Sequence, residues 1–190
     1  MIMKKIIFFA TMLLVMAACS KDEIGGTATQ SMAGQWYVTI DAVDENGTPI
    51  NGGEDYFGIG GPTLFLTYNT ASNNPSEMWI DDLGEWNVGA MYDANYPSYC
   101  IKAKVTVDQA SMTFKSTEAP NYGDGWRTFE AMPVTIDGKI LKGAGHQNNG
   151  SVADSIVFFV SYKGDPWYPD DGYAKYKVSG IRYSGLEEND

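Results

Sequence analysis

His146 is the only histidine of the chain, standing in Gly143-Ala144-Gly145-His146-Gln147 ahead of Ser151, Asp154 and Ser155. An imidazole, a hydroxyl and a carboxylate in one stretch are the parts of a nucleophilic triad. The stretch has no Gly-x-Ser-x-Gly elbow and no strand-to-helix turn to sharpen a serine, so a loop histidine among turn residues is the plainer reading. His146 is the one catalytic candidate, and enzymatic activity is left open. Paired carboxylates for glycoside hydrolysis could come from Glu77, Asp81, Asp82, Glu85 or Glu130. With 24 acidic residues present, chance pairs on a solvated face account for most of these. Asp170-Asp171-Gly172 lacks the alternating ligands of a calcium loop. One histidine and two cysteines exclude a typical structural zinc site. Gly58-Ile59-Gly60-Gly61 lacks the lysine and following helix of a phosphate loop. Neither a metal nor a cofactor is expected.

Aromatic side chains are the better lead. They gather in stretches rich in Gly, Asp, Asn and Pro, where Trp86, Tyr96, Tyr122, Trp126, Trp167 and Tyr168 are the ligand-binding candidates. Rings on loops offer a large area with a polar tip, which suits stacking on sugar faces or closing over an apolar ligand. The competing reading makes Trp126 and Trp167 plugs at the ends of a small barrel.

The elements that must carry these residues read as strands. Tyr99, Ile101, Ala103, Val105 and Val107 alternate with Cys100, Lys102, Lys104, Thr106 and Asp108, giving one buried and one wet face. On that alternation Cys100 falls on the polar side, where covering by neighbours is left open. Met132, Val134 and Ile136 alternate up to Asp137-Gly138, a strong signal for a hairpin turn before Lys139-Ile140-Leu141. Asp154 to Lys163 is apolar on both faces and predicts a well-covered strand. Trp36, Val38 and Ile40 belong to the first strand, and Tyr173 to Tyr183 forms the last. Pro62 to Asn69 and Glu77 to Ile80 fill in between. Helix is limited to a turn or two within Asn87 to Tyr96. The expectation is an all-β fold, an antiparallel barrel or sandwich of about eight strands with little helix.

The amino terminus reads as an address. Met1 to Lys5 is basic, and Ile6 to Ala18 is an apolar run too short to span a bilayer. It ends Met16-Ala17-Ala18-Cys19, which resembles the bacterial lipobox, with methionine where leucine is usual. Residues 1–18 are therefore expected to be a lipoprotein signal peptide and Cys19 the lipid anchor. Residues 19–33 follow as the lipidated cysteine and a flexible tether, and 34–190 as the barrel domain. Ser20-Lys21-Asp22-Glu23 resembles the export signal of lipoproteins displayed on the outside of certain Gram-negative bacteria. The expected place is the bacterial outer membrane, facing the exterior and attached by lipid only. Cys19 is then consumed, leaving Cys100 without an intramolecular disulfide partner. The 190-residue chain carries 13 basic against 24 acidic residues, a net charge of −11, which argues against nucleic acid as a partner.

Gly34-Gln35-Trp36 opens the first strand and Arg182 lies near the end of the last. The pair resembles the lipocalin arrangement, in which a Gly-x-Trp meets an arginine from the closing segment. Strand parity agrees, since Trp36 shares a face with Val38 and Ile40, and Arg182 one with Val178 and Tyr176. Trp36 and Arg182 are thus expected to close the barrel as a structural pair. The lipobox, the GQWYV opening, DSIVFFVSYK and the ending VSGIRYSGLEEND are together similar to bacterial lipoproteins described as lipid-binding putative hydrolases. That resemblance implies a lipocalin-like barrel holding a small apolar or amphipathic, lipid-like ligand in its mouth without catalysis. Glycan binding at the cell surface is the alternative, and hydrolysis a third reading for which no residue motif transfers.

Overall fold

A computed structural model describes residues 25–50, 61–86, 98–123, 131–166 and 175–186. Eight strands follow one another: β1 (Gly34–Val43), β2 (Thr63–Asn69), β3 (Glu77–Asp81), β4 (Lys102–Asp108), β5 (Thr113–Ala119), β6 (Val134–His146), β7 (Val152–Tyr162) and β8 (Lys175–Arg182). Each pairs antiparallel with its sequence neighbours, and β1 also pairs with β8, so the sheet closes into a barrel with no free edge. The expected all-β barrel of about eight strands is the fold, and no helix occurs among the described residues.

Period-two alternation dictates the inside. Trp36, Val38, Ile40 and Ala42 of β1 point inward, as do Ile156, Phe158, Val160 and Tyr162 of β7. Burying each valine, isoleucine or phenylalanine among them is worth roughly 1.5–3 kcal/mol. Phe65 stacks on Trp86 with ring centres 5.5 Å apart and meets Phe158 at 5.2 Å, and Phe158 meets Phe114 at 5.8 Å. Bulky apolar side chains occupy the inward positions of the described strands.

The two ends differ. One end carries the connections 70–76, 109–112 and 147–151 together with the described segments 25–33 and 183–186. The other carries the connections 44–62, 82–101, 120–133 and 163–174, each including residues outside the described set. Within the stretch expected to be a tether, residues 27–33 pack on the first end. Met32 is fully buried there, and Ala28 N donates to Asn73 Oδ1 at 2.7 Å.

Two local expectations fail. Asp137-Gly138 is no turn, because β6 runs straight through it and pairs with Phe159 and Phe158 of β7. Gly138 faces inward, where an added Cβ would collide with Phe158 Cβ and Phe114 Cζ. The glycine makes room for two rings and supplies no turn. Cys100 belongs to no face of a strand, since β4 starts only at Lys102; its thiol is completely buried, the outcome left open for it. Most of the segment expected to hold a helical turn, 87–96, lies outside the described residues.

Candidate functional site

The sealed end is built around the junction of β1 and β8. Trp36 lies opposite Arg182 in the register, and the guanidinium carbon sits 4.4 Å from the indole centre. Arg182 Nη1 also donates to Ala33 O at 2.8 Å, and Nε lies 3.3 Å from Asp154 Oδ2. Trp36 Nε1 donates to Thr67 Oγ1 at 2.9 Å, and that hydroxyl donates to Met32 O at 2.7 Å. These bonds satisfy the buried indole N–H and tie the N-terminal arm across the barrel.

At the opposite end, where β1, β3, β5 and β7 finish, lies a polar layer. Asp165 is buried, and its two carboxylate oxygens accept Tyr99 OH at 2.5 Å and Tyr176 OH at 3.0 Å. Tyr162 OH donates to Tyr99 O at 2.6 Å. The three tyrosine rings meet edge to face, with centres 5.1, 5.9 and 5.7 Å apart. Burial first, then the nearby Asp82, Cys100 and Asp165, holds the Tyr162 phenol well above its ordinary range. Asp82 is buried beside them, accepting Gly84 N at 3.1 Å and Trp86 N at 3.0 Å. Burial pushes its carboxyl up to about 7, although those amide bonds pull the other way. The layer's phenolic protons are engaged on protein acceptors, so it stands as an ordered floor beneath the mouth.

The sequence candidates do not assemble into one site. Trp86 is fully buried, stacked on Phe65, with Nε1 donating to Thr63 Oγ1 at 3.0 Å; its ring belongs to the core. Tyr122 is 60% exposed on the outer wall, edge-on to Trp79 at 5.7 Å. Tyr96, Trp126, Trp167, Tyr168 and Cys19 lie outside the described residues. His146 is no loop residue; it ends β6, exposed and opposite Val152. Asp154 is engaged with Lys142 at 2.9 Å, Gly143 N at 3.0 Å and Arg182, and the His146 imidazole makes no hydrogen bond or ion pair with the described residues. No triad forms around it. Among the described residues, no cluster of three or more metal-ligating side chains forms.

A family model described as lipid-binding putative hydrolase matches residues 21–187. The chain belongs to this family. Its membership and the closed barrel together support a lipid-binding role. A comparison with curated proteins finds no match. What sequence reasoning missed in this family member is the Asp165 layer. Tyr162 and Tyr176 stand at inward strand positions, and a buried phenol needs an acceptor, which is the signal that pointed to it.

Proposed function

We propose that this protein is a lipoprotein of the bacterial outer membrane, anchored through Cys19 and facing the cell exterior. It holds a small apolar or amphipathic, lipid-like ligand in the barrel mouth and does not turn it over. The observation that carries this reading is the inequality of the ends. One is sealed by Trp36, Arg182 and Met32, while the other joins its strands by four longer stretches of sequence and holds the layer of Tyr99, Tyr162, Tyr176 and Asp165. Bulky apolar side chains such as Trp36, Phe65, Phe114 and Phe158 occupy inward positions below, so this reading puts the ligand above that layer and not deep in the barrel. Two or more acyl chains on Cys19 would give stable attachment without a spanning segment.

Native mass spectrometry of the protein purified from its own host tests the binding: a carried lipid-sized adduct is expected, and a bare mass overturns it. Cys19→Ala should shift the protein from the membrane to the soluble fraction. Protease added to intact cells should remove the domain if it faces outward.

A second reading draws on the exposed Tyr122 ring beside Trp79, which makes an aromatic corner on the outer wall. Such a corner suits stacking on a sugar face. Retention on glycan arrays that is lost in Tyr122→Ala would favour surface glycan binding over lipid capture.

A further inference from the structure

A groove of about 400 Å³ crosses the outside of the barrel where the first strand meets the last. Trp36 and Val38 point inward, so Tyr37 and Thr39 stand outward and form part of its floor with Ser179, Gly180 and Ile181. Pro62 and Asn148 complete the lining. Asn148 belongs to the turn between β6 and β7. Gln147 Nε2 donates to Arg182 O at 2.6 Å and ties that turn to the end of β8. Tyr183 meets the Tyr37 ring edge to face at 4.7 Å.

The floor is chemically divided. Register places Tyr37 opposite Ile181 and Thr39 opposite Ser179, so an apolar step lies beside a step bearing two hydroxyls. No lining side chain is charged. The next outward pair along the strands, Asp41 and Lys177, carries opposite charges in register. A carboxylate or phosphate placed in the groove would lose water and gain no cation. A neutral ligand with an apolar chain and a hydroxyl or ester head meets both steps.

We infer that this groove is a binding site for an uncharged single-chain amphiphile of the monoacylglycerol kind. The chain lies along Tyr37 and Ile181, and the head meets the hydroxyls of Thr39 and Ser179. The ligand class rests on the lipid-binding reading; the site lies outside the barrel wall, apart from the mouth.

All described strands and the packed arm fall within residues 25–186, so a chain beginning at Ser20 keeps every described contact. NMR titration of that chain with 1-monodecanoylglycerol, and separately with decanoate, tests the site. Saturable shifts at Tyr37, Thr39, Ser179, Ile181 and Asn148 are expected with the neutral probe, with decanoate at least tenfold weaker there. Ser179→Trp, which fills the groove from an outward position, should weaken the neutral probe at least tenfold; Ile181→Ser serves if that variant misfolds. Equal binding of decanoate in the groove overturns the assignment to a neutral amphiphile. Saturable shifts confined to the mouth around Tyr162 and Tyr176, unchanged in Ser179→Trp, overturn the groove and leave the lipid-binding reading intact. No saturable shift at either place defeats both together.

Discussion

Arg182 faces Trp36 across the strand seam, its guanidinium 4.4 Å from the ring centre, and the same side chain reaches Ala33 O and Asp154. A cation over an indole contributes roughly 0.5–2 kcal/mol, and the two polar contacts add to it. Arg182→Ala should therefore lower unfolding stability by about 1–3 kcal/mol, read from urea midpoints at constant slope. Arg182→Lys should recover only part, because an ammonium lacks the planar fork that spans indole, carbonyl and carboxylate. A loss below about 0.5 kcal/mol in Arg182→Ala would remove this seal from the account.

Gly34 explains the first letter of the Gly-x-Trp pattern. A Cβ there would run into Arg182 Nη1, so the missing side chain makes room for the guanidinium. Gly34→Ala should destabilise the wild-type barrel by displacing Arg182. Combined with Arg182→Ala, it should cost clearly less than the two single losses summed, with a coupling of about 0.5 kcal/mol or more. Strict additivity in that double-mutant cycle would separate the two residues energetically.

This motif was legible because both its members sit on strands of clear alternation, so parity alone aimed them at one interior. Asp137-Gly138 misled for the opposite reason. Its dipeptide matches a turn by local preference, while Phe114 and Phe158, distant in sequence, require an inward position without a side chain. Cys100 misled likewise, since alternation extended past Lys102 assigns it to the polar face although the strand has not yet begun. The Asp165 layer joins residues of three separate segments, and pairing of that kind is set by barrel closure and register. Of the ring candidates, Trp86 was indistinguishable in sequence from a loop aromatic, because what buries it is Phe65 on another strand.

Gly138→Ala puts the reassignment of Asp137-Gly138 to a measurement. Overpacking of a filled core costs typically about 1–3 kcal/mol, and here the nearest atom is the Cβ of Phe158, which no rotamer change can move away. Phe114→Leu in the same chain should relieve only the part of the loss due to the Phe114 ring. A turn glycine would respond differently: its loss on substitution would be indifferent to residue 114. Thermal unfolding of the two single variants and the double variant distinguishes these outcomes.

Asp165→Asn should loosen the floor of the mouth. Its carboxylate accepts two phenolic protons, and a carboxamide has one neutral oxygen to offer, so both hydroxyls lose a charged acceptor and one of them loses its acceptor oxygen on this side chain. A cost of about 1–3 kcal/mol follows for a buried group left unsatisfied. Tyr176→Phe combined with Asp165→Asn should then cost less than the sum, because the orphaned hydroxyl is gone. Hydrogen exchange should report the loosening first near Tyr99 and Tyr162, whose rings pack on Tyr176.

Asp82 gives the barrel a pH dependence of identifiable sign. Burial holds its carboxyl at about 7 in the folded chain, against an ordinary value of 3.8. Between those values the folded protein binds more protons than the unfolded one, so stability falls as pH rises from about 4 to 7. The cost is absent below that window and complete above it. Asp44, Glu77, Asp108 and Asp154 act the other way: hydrogen bonds hold the first three below their ordinary values. For Asp154, hydrogen bonds and nearby cations outweigh opposing burial. All four lose their stabilising contribution only as pH falls below their ordinary values of 3.8 for the aspartates and 4.5 for Glu77, at or beneath the acidic edge of the window. Urea midpoints at pH 4.5, 5.5, 6.5 and 7.5, values chosen to cross the window of about 4 to 7, should decline in the wild-type chain. Asp82→Asn keeps the size of the side chain and removes the titration, though only one of the Gly84 and Trp86 amides keeps an oxygen acceptor. Its midpoints should vary less over the same range, and its standing relative to the wild type should improve steadily as the pH rises. An identical slope in both chains would show that the Asp82 proton leaves at its ordinary pH, and that the turn carrying Trp86 is open to water.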